Sequence, residues 1–225
     1  MLVCFDGVVH LGDLPVQAFA RHITEQLTAD EIRPVIAGMR GFLEGKTELI
    51  PAGVDLSGAE DGYQAVEVLA RTAGLESAAI ATARQASRLD LAASAWAVDP
   101  TVGLDVLLTE IRSTARVVLL TEPGDPAARP VLESIDVTMD DIVDTATGPA
   151  IALVRQETGA TPDRLLIIGT RWTDQLAPAQ EAGCATALID RYGHGRGAPT
   201  FRSPDLAGLL VPVRGWLEQW QSDPR

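Results

Sequence analysis

The residues with the most chemical capacity sit at the start of the chain. Met1 to Asp13 reads MLVCFDGVVHLGD and brings a thiol (Cys4), a carboxylate (Asp6) and an imidazole (His10) close together. Met1 to Phe5 is a short apolar run with the composition of a strand buried on both faces. Asp6-Gly7 ends it, because a carboxylate followed by a residue without a Cβ lets the chain turn sharply. Open α/β sheets build their sites where buried strands deliver polar groups at their C-terminal tips. Chemistry is therefore expected around Cys4 and Asp6. Two more apolar runs end in polar groups: ARVVLL closes at Thr121, and LLII closes at Gly169-Thr170-Arg171-Trp172-Thr173-Asp174.

Positioning these tips calls for a sheet, and the chain supplies one around a helical interruption. Its 225 residues allow one main domain plus an insertion or subdomain. With 46% apolar but only 4% aromatic residues, the core must be Ala, Val, Leu and Ile, which suits helices packed on strands. Residues 28–40, 65–72 and 76–88 repeat apolar positions at helical spacing, separated by Gly and Pro clusters at 51–53 and 58–62. A small all-helical bundle is therefore expected between the first strand and the rest. After it, Asp99-Pro100 is expected to open a helix running to about residue 110 (Gly103 to Ser113), followed by a strand over 115–120. Helices at 126–135, 149–158 and 175–182 then alternate with strands at 141–144, 165–168 and 185–189. Ser203-Pro204-Asp205 is expected to cap the last helices, and 193–198 (GHGRGA) to be a flexible connection. Such alternation implies a parallel sheet with right-handed crossovers.

A net charge of −13 and a pI near 4.6 argue against nucleic acid or an anionic membrane as partner. Two cysteines, Cys4 and Cys184, form no disulfide framework, and no signal peptide or long apolar span is visible. The chain reads as soluble and cytoplasmic. Lys46 is its only lysine.

Four places, in order and at suitable spacing, resemble the motifs of the haloacid dehalogenase (HAD) superfamily, whose members are mostly phosphatases. Cys4-Phe5-Asp6-Gly7-Val8-Val9 is similar to the first motif, an Asp, any residue, Asp, Gly, Val or Thr and an aliphatic. Thr121 matches the second, a Ser or Thr at a strand tip, and Gly148-Pro149 falls where the third has Lys-Pro. Residues 169–174, followed by Ala182-Gly183, resemble the fourth, which has Gly-Asp and a second Asp four residues on. The resemblance implies a Rossmann-like three-layer α/β/α core with a mostly parallel sheet and an all-helical cap inserted after the first strand. The core would comprise residues 1–13 and 95–225, and the cap 14–94. Only about 25 residues separate Thr121 from Gly148, which excludes a second cap there.

In the family the first Asp attacks phosphorus and ligates Mg²⁺, the Lys neutralises the phosphoryl oxygens, and the first Asp of motif four is a second carboxylate on the metal. Here those positions hold Cys4, Gly148 and Thr170. Asp6 and Asp174 remain as weak metal ligands, and a thiol is a poor partner for Mg²⁺. Phosphoryl transfer is mostly positioning and charge neutralisation, and single losses of such groups commonly cost roughly 10²–10⁴ in rate. The resemblance therefore implies a protein without the usual Mg²⁺-dependent phosphatase activity and with no cofactor, Mg²⁺ binding only if the site still works. Such a protein would act as a small-anion-binding or regulatory module on an anionic metabolite or a protein partner. The rival expectation is a divergent hydrolase, phosphatase or dehalogenase-like, acting through Asp6 or Cys4. A second register of the first motif would make Asp6 itself the nucleophile, although Gly7 and Gly12-Asp13 fit the register that puts Cys4 there better.

Each residue has two readings. Cys4 is a thiol nucleophile if a cation lowers its pKa, and otherwise a small buried filler. Asp6 is a general acid/base or a turn cap. Thr121 holds an anion or ends a strand. Asp174 is an N-cap for the 175–182 helix or a metal ligand. His10 is a titrating group under the cap or a solvated loop residue. The binding pocket is expected to be lined by Asp6, His10, Thr121, Thr170 and Arg171. Arg171 would replace the metal's charge with a fixed guanidinium, and Arg129 is a lesser candidate for that role.

Overall fold

The first strand, β1 (Leu2–Cys4), is buried along its whole length, as its run of apolar side chains requires. The computed structural model describes residues 1–11, 13–93 and 98–221. β1 leads through the Asp6-Gly7 turn to β2 (His10–Leu11). Four helices follow: α1 (Leu14–Thr24), α2 (Ala29–Glu44), α3 (Gly62–Thr72) and α4 (Ser77–Ala92). β3 (Asp99–Pro100) returns antiparallel to β2. Helices and strands then alternate as α5 (Leu104–Arg112), β4 (Val118–Thr121), α6 (Ala128–Ser134), β5 (Asp141–Asp144) and α7 (Thr147–Thr158). β6 (Leu166–Gly169), α8 (Ala177–Glu181), β7 (Ala185–Ile189), β8 (Phe201–Ser203) and α9 (Leu210–Gln221) complete the described chain.

The large sheet has six strands in the order β5-β4-β1-β6-β7-β8, every neighbouring pair parallel. It is the sheet of a Rossmann-like three-layer α/β/α core. β1 lies between two other fully buried strands, as its own apolar faces require: Val3 stands opposite Leu119 on one side and Ile168 on the other. Two hydrophobic cores result. One surrounds the sheet and includes Leu2, Val3, Leu119, Ile167 and Val213. The other is enclosed by the four helices around Phe19, Ile23, Val35, Val66 and Leu69. α4 belongs to both, contributing Ile80 and Ala83 to the helical core and Leu91 to the sheet core.

Local signals account for the helix starts. Thr28 and Glu31 form a capping box at α2, with the Glu31 carboxylate accepting from the Thr28 N–H at 2.8 Å. Asp61 caps α3 by accepting from the Gln64 N–H at 2.8 Å. Among the described residues no helix is long and apolar enough to cross a membrane.

Two expectations are corrected, and one strand is added. Asp99-Pro100 forms β3 instead of opening a helix, because the residue before proline avoids helical backbone and Asp99 pairs with Leu11. The helix itself starts at Leu104, after Gly103. The expected 175–182 helix begins with a wide π-helical turn over Trp172–Leu176, so Asp174 lies inside that turn and caps nothing. Phe201–Ser203, unassigned from sequence, adds a sixth strand beside β7. Asp205 does cap the following turn, accepting from the Gly208 N–H at 2.8 Å. Gly12, and the expected boundary at 94/95, lie outside the described residues.

Candidate active site

Register places the candidate groups. Cys4 stands opposite Leu120 and Val3 opposite Ile168, so the tips of β1, β4 and β6 are side by side. A cleft of about 240 Å³ at these tips is lined by Cys4, Asp6, Thr121, Arg171 and Asp174, among others. His10 and Thr170 line a second, larger cavity of about 390 Å³, together with Gly7 and residues of α3 and of the segments after β7 and β8. Asp6 borders both spaces. The single pocket expected from sequence is thus split in two, with Thr121 and Arg171 on one side and His10 and Thr170 on the other.

Asp6 is held by an arginine that sequence reasoning did not single out. Arg88, on α4, donates from Nη1 to Asp6 Oδ1 at 2.7 Å and from Nη2 to Oδ2 at 3.3 Å. The same guanidinium reaches Asp125 in the turn after β4, its Nε donating to Oδ1 at 3.2 Å and its Nη2 to Oδ2. It also lies 5.2 Å from the Phe5 ring centroid and donates to the Tyr63 hydroxyl at 3.4 Å. His10 Nε2 approaches Asp6 Oδ1 at 3.3 Å. The Arg88 and Asp125 side chains are only 4% and 1% exposed, which makes this a buried ion triad with Asp6. Burial alone would raise the pKa of Asp6, but the Arg88 guanidinium and the His10 contact outweigh it and hold the carboxyl well below its ordinary range.

Arg171 is turned inward. Its Nε pairs with Asp174 at 3.0 Å, Nη1 with Asp61 at 3.5 Å and Nη2 with Glu122 at 3.7 Å. These carboxylates outweigh the cost of burial and raise its pKa above that of free arginine. Arg84, one turn before Arg88, bridges Glu67 of α3 to Glu122 after β4. Glu60 accepts both the N–H and the hydroxyl of Thr173, at 3.0 and 2.7 Å. Three arginines and their carboxylates therefore join the helical unit to the tips of the sheet.

Gly7 allows this arrangement. Its φ is +74°, and a Cβ there would stand 2.6 Å from Thr170 Cγ2, whose hydroxyl donates to the Asp6 carbonyl at 3.3 Å. Gly7→Ala combines a left-handed backbone with overpacking and is expected to destabilise the protein by about 2–3 kcal/mol in urea denaturation.

No family model and no curated protein matches the chain. Solved structures do. The HAD-hydrolase YfnB from Bacillus subtilis, a structure with magnesium bound, is 17% identical, covers 94% of this chain and 96% of its own, and superposes with a TM-score of 0.63. This chain has the haloacid dehalogenase fold. Other structures with the haloacid dehalogenase fold superpose as well. CbbY from Rhodobacter sphaeroides, in complex with phosphate, is 16% identical over 92% of this chain and 94% of its own, TM-score 0.57. The L-2-haloacid dehalogenase from Xanthobacter autotrophicus, with chloropropionic acid covalently bound, is 15% identical over 95% and 97%, TM-score 0.54.

Within the haloacid dehalogenase fold, the residues at the strand tips do not suit a Mg²⁺ ion. Both oxygens of Asp6 accept from Arg88, and Asp174 is engaged by Arg171. Cys4 is 2% exposed, and burial pushes its thiol up to about 12, away from the thiolate form that attacks or binds metal. Thr170 spends its hydroxyl on the Asp6 carbonyl. Among the described residues no three His, Cys, Asp or Glu side chains are grouped to hold a metal. Gly148 opens α7 with nothing within 4 Å of a Cβ built on it, and Lys46 pairs with Glu44 on the helical unit. Thr121 is buried at the wall of the small cleft.

Arg84 and Arg88 carried a signal in the sequence. They lie four residues apart, on a helix face whose other members, Ile80, Ala83 and Leu91, are buried. In a chain whose basic residues are nearly all Arg, two arginines in an apolar stripe mark buried, bidentate pairing. Of their carboxylate partners, Asp6 was marked by its place at the first strand's tip, whereas Glu122 and Asp125 had no comparable mark, since tertiary packing alone brings them there.

Proposed function

We propose that this protein has the haloacid dehalogenase fold without its Mg²⁺-dependent aspartyl-phosphate chemistry, and that it works by binding and regulation. The helical unit over residues 14–93 acts as a cap fastened to the core. The observation carrying this reading is the buried Arg88–Asp6–Asp125 triad, which commits the one carboxylate left in the first motif to a guanidinium from the cap. A hydrolase acting through Asp6 would first have to break a bidentate charge-assisted pair, and one acting through Cys4 would have to ionise a buried thiol. A small anion is poorly supported as the ligand. In the narrow cleft Arg171 faces Asp6, Glu122 and Asp174, and the excess of negative charge favours a neutral or cationic guest, or a protein surface at the cap–core seam.

The test is phosphate release from a generic aryl phosphate with millimolar Mg²⁺, run beside Asp6→Asn. The expected result is no turnover above the variant's background. Phosphate release that Asp6→Asn abolishes would overturn the reading.

A further inference from the structure

The 390 Å³ cavity lies over the C-terminal ends of β1, β6, β7 and β8, with Asp6 between it and the cleft at Cys4 and Thr121. Gly7 follows β1, Thr170 follows β6, Ile189 ends β7 and Pro204 follows β8, and all four line it. After β1 the chain crosses to β4 on one side, whereas after β6 it moves to β7 on the other. In open α/β sheets, ligands occupy the crevice beside such a reversal. The walls are largely apolar and are held from behind. On the helical side, Val16 of α1 and Tyr63 of α3 belong to the helical core. The Tyr63 ring is braced by the Phe19 ring, 5.9 Å between centroids, and by the Arg84 guanidinium 4.8 Å from its own centroid. On the sheet side, Ile189 and Leu206 belong to the sheet core. Walls anchored in two cores need little reordering to receive a guest, and the volume is that of a small-molecule site.

The acids on these walls are already engaged. Asp6 pairs with Arg88, Asp13 pairs with Arg191 at 2.9 Å, and Glu60 accepts from Thr173. Asp61 caps α3 and pairs with Arg171, and Asp205 accepts from the Gly208 N–H. A cationic guest would have to compete with bonds that the protein makes on its own. An anionic guest would meet these five carboxylates against the guanidinium of Arg191, itself paired with Asp13. Burying a charge without a partner is costly, so both kinds of ion are disfavoured. Water against apolar walls makes few hydrogen bonds, so an apolar guest that displaces it is favoured.

We propose that this cavity binds an uncharged, mainly apolar small molecule of about two fused rings in size, packed between the Val16–Tyr63 wall and the Ile189–Leu206 wall. A cavity of about 150 Å³ takes a single benzene ring, so one of about 390 Å³ admits a larger body of the same kind. Val102, which is 70% exposed, and Ala207, also exposed, line the cavity at its rim, where the guest enters. The proposal deepens the binding role given above. Phosphate release tests whether catalysis is lost and ligand titration tests only the cavity, so either can fail without the other.

The experiment titrates the full chain with three probes that share one naphthalene body: 1-naphthylmethanol, 1-naphthylmethylamine as the cation and 1-naphthoate as the anion. Binding is read by calorimetry and by amide chemical shifts. The alcohol is expected to saturate at millimolar concentration or below, and each ion to bind about 10-fold or more weakly, because its charge finds no free partner. Shifts are expected at Gly7, Tyr63 and Val102 and not at Thr121. Ala207→Trp and Val102→Trp each fill the rim from an exposed position, which leaves the two cores intact. At least one of them is expected to weaken the alcohol by about 10-fold or more with an unchanged urea midpoint. Either ion binding as tightly as the alcohol, no saturation by the alcohol at millimolar concentration, shifts centred on Thr121, or unchanged affinity in both variants would each overturn the proposal.

Discussion

Replacing Arg88 by methionine is expected to destabilise the protein by about 3–5 kcal/mol, the cost of breaking a buried ion pair by removing one partner. Methionine keeps much of the side chain's length and apolar contact with the Phe5 and Tyr63 rings, so the loss reports mainly on charge. Asp6 and Asp125 would be left facing one another in a dry environment with no cation between them. Arg88→Lys is expected to recover only part of the stability, because one ammonium cannot reproduce the fork that spans two carboxylates. Adding Asp6→Asn and Asp125→Asn to Arg88→Met is expected to restore some of the loss, since it removes the unpaired charges. Urea denaturation of the four proteins measures this. A loss below about 1 kcal/mol in Arg88→Met, the value typical of a surface pair, would show that the triad is solvated.

The second large effect is on acid stability. The Asp6 carboxyl is held well below its unfolded value of about 3.9, chiefly by Arg88 acting against burial. A group whose folded pKa is depressed contributes stability that is fully present above the unfolded pKa and is lost as the pH falls toward the folded one. Asp6 should therefore contribute about 3 kcal/mol or more above pH ~5, declining steadily below pH ~4. Asp61 acts in the opposite sense: burial raises its folded pKa, so protonation favours the folded state as the pH falls and offsets a part of the loss. The expected outcome is a urea midpoint that drops steeply below pH ~4 in the wild type and less steeply in Asp6→Asn. Parallel acid limbs in the two proteins would show that Asp6 is not held by the triad.

Ion pairs also link the helical unit to the sheet at the strand tips. Phosphoryl transfer needs a free carboxylate, a cation and a path for substrate. At the strand tips the guanidiniums of Arg84 and Arg171 are paired with acids from both units. Such pairs keep charge at the strand tips but fix it in place.

Much of the fold was legible in the residues alone. Apolar runs that are buried on both faces, such as 2–4 and 166–168, have no stable place except a central parallel strand, and helical periodicity over 28–40 and 76–88 marked two of the helices that follow β2. Which side chains stand at 4, 148 and 170 was equally readable, because residue identity is a fact of covalent structure. Tertiary structure decided the rest. Whether Asp174 capped a helix turned on one wide turn over Trp172–Leu176, and whether Phe201–Ser203 was a strand turned on the edge that β7 offered it. The partner of Asp6 lay 82 residues away on α4, a distance along the chain that no local periodicity or spacing spans. Chain position dictates what a side chain can do, but burial and the charges brought against it by packing dictate what it does.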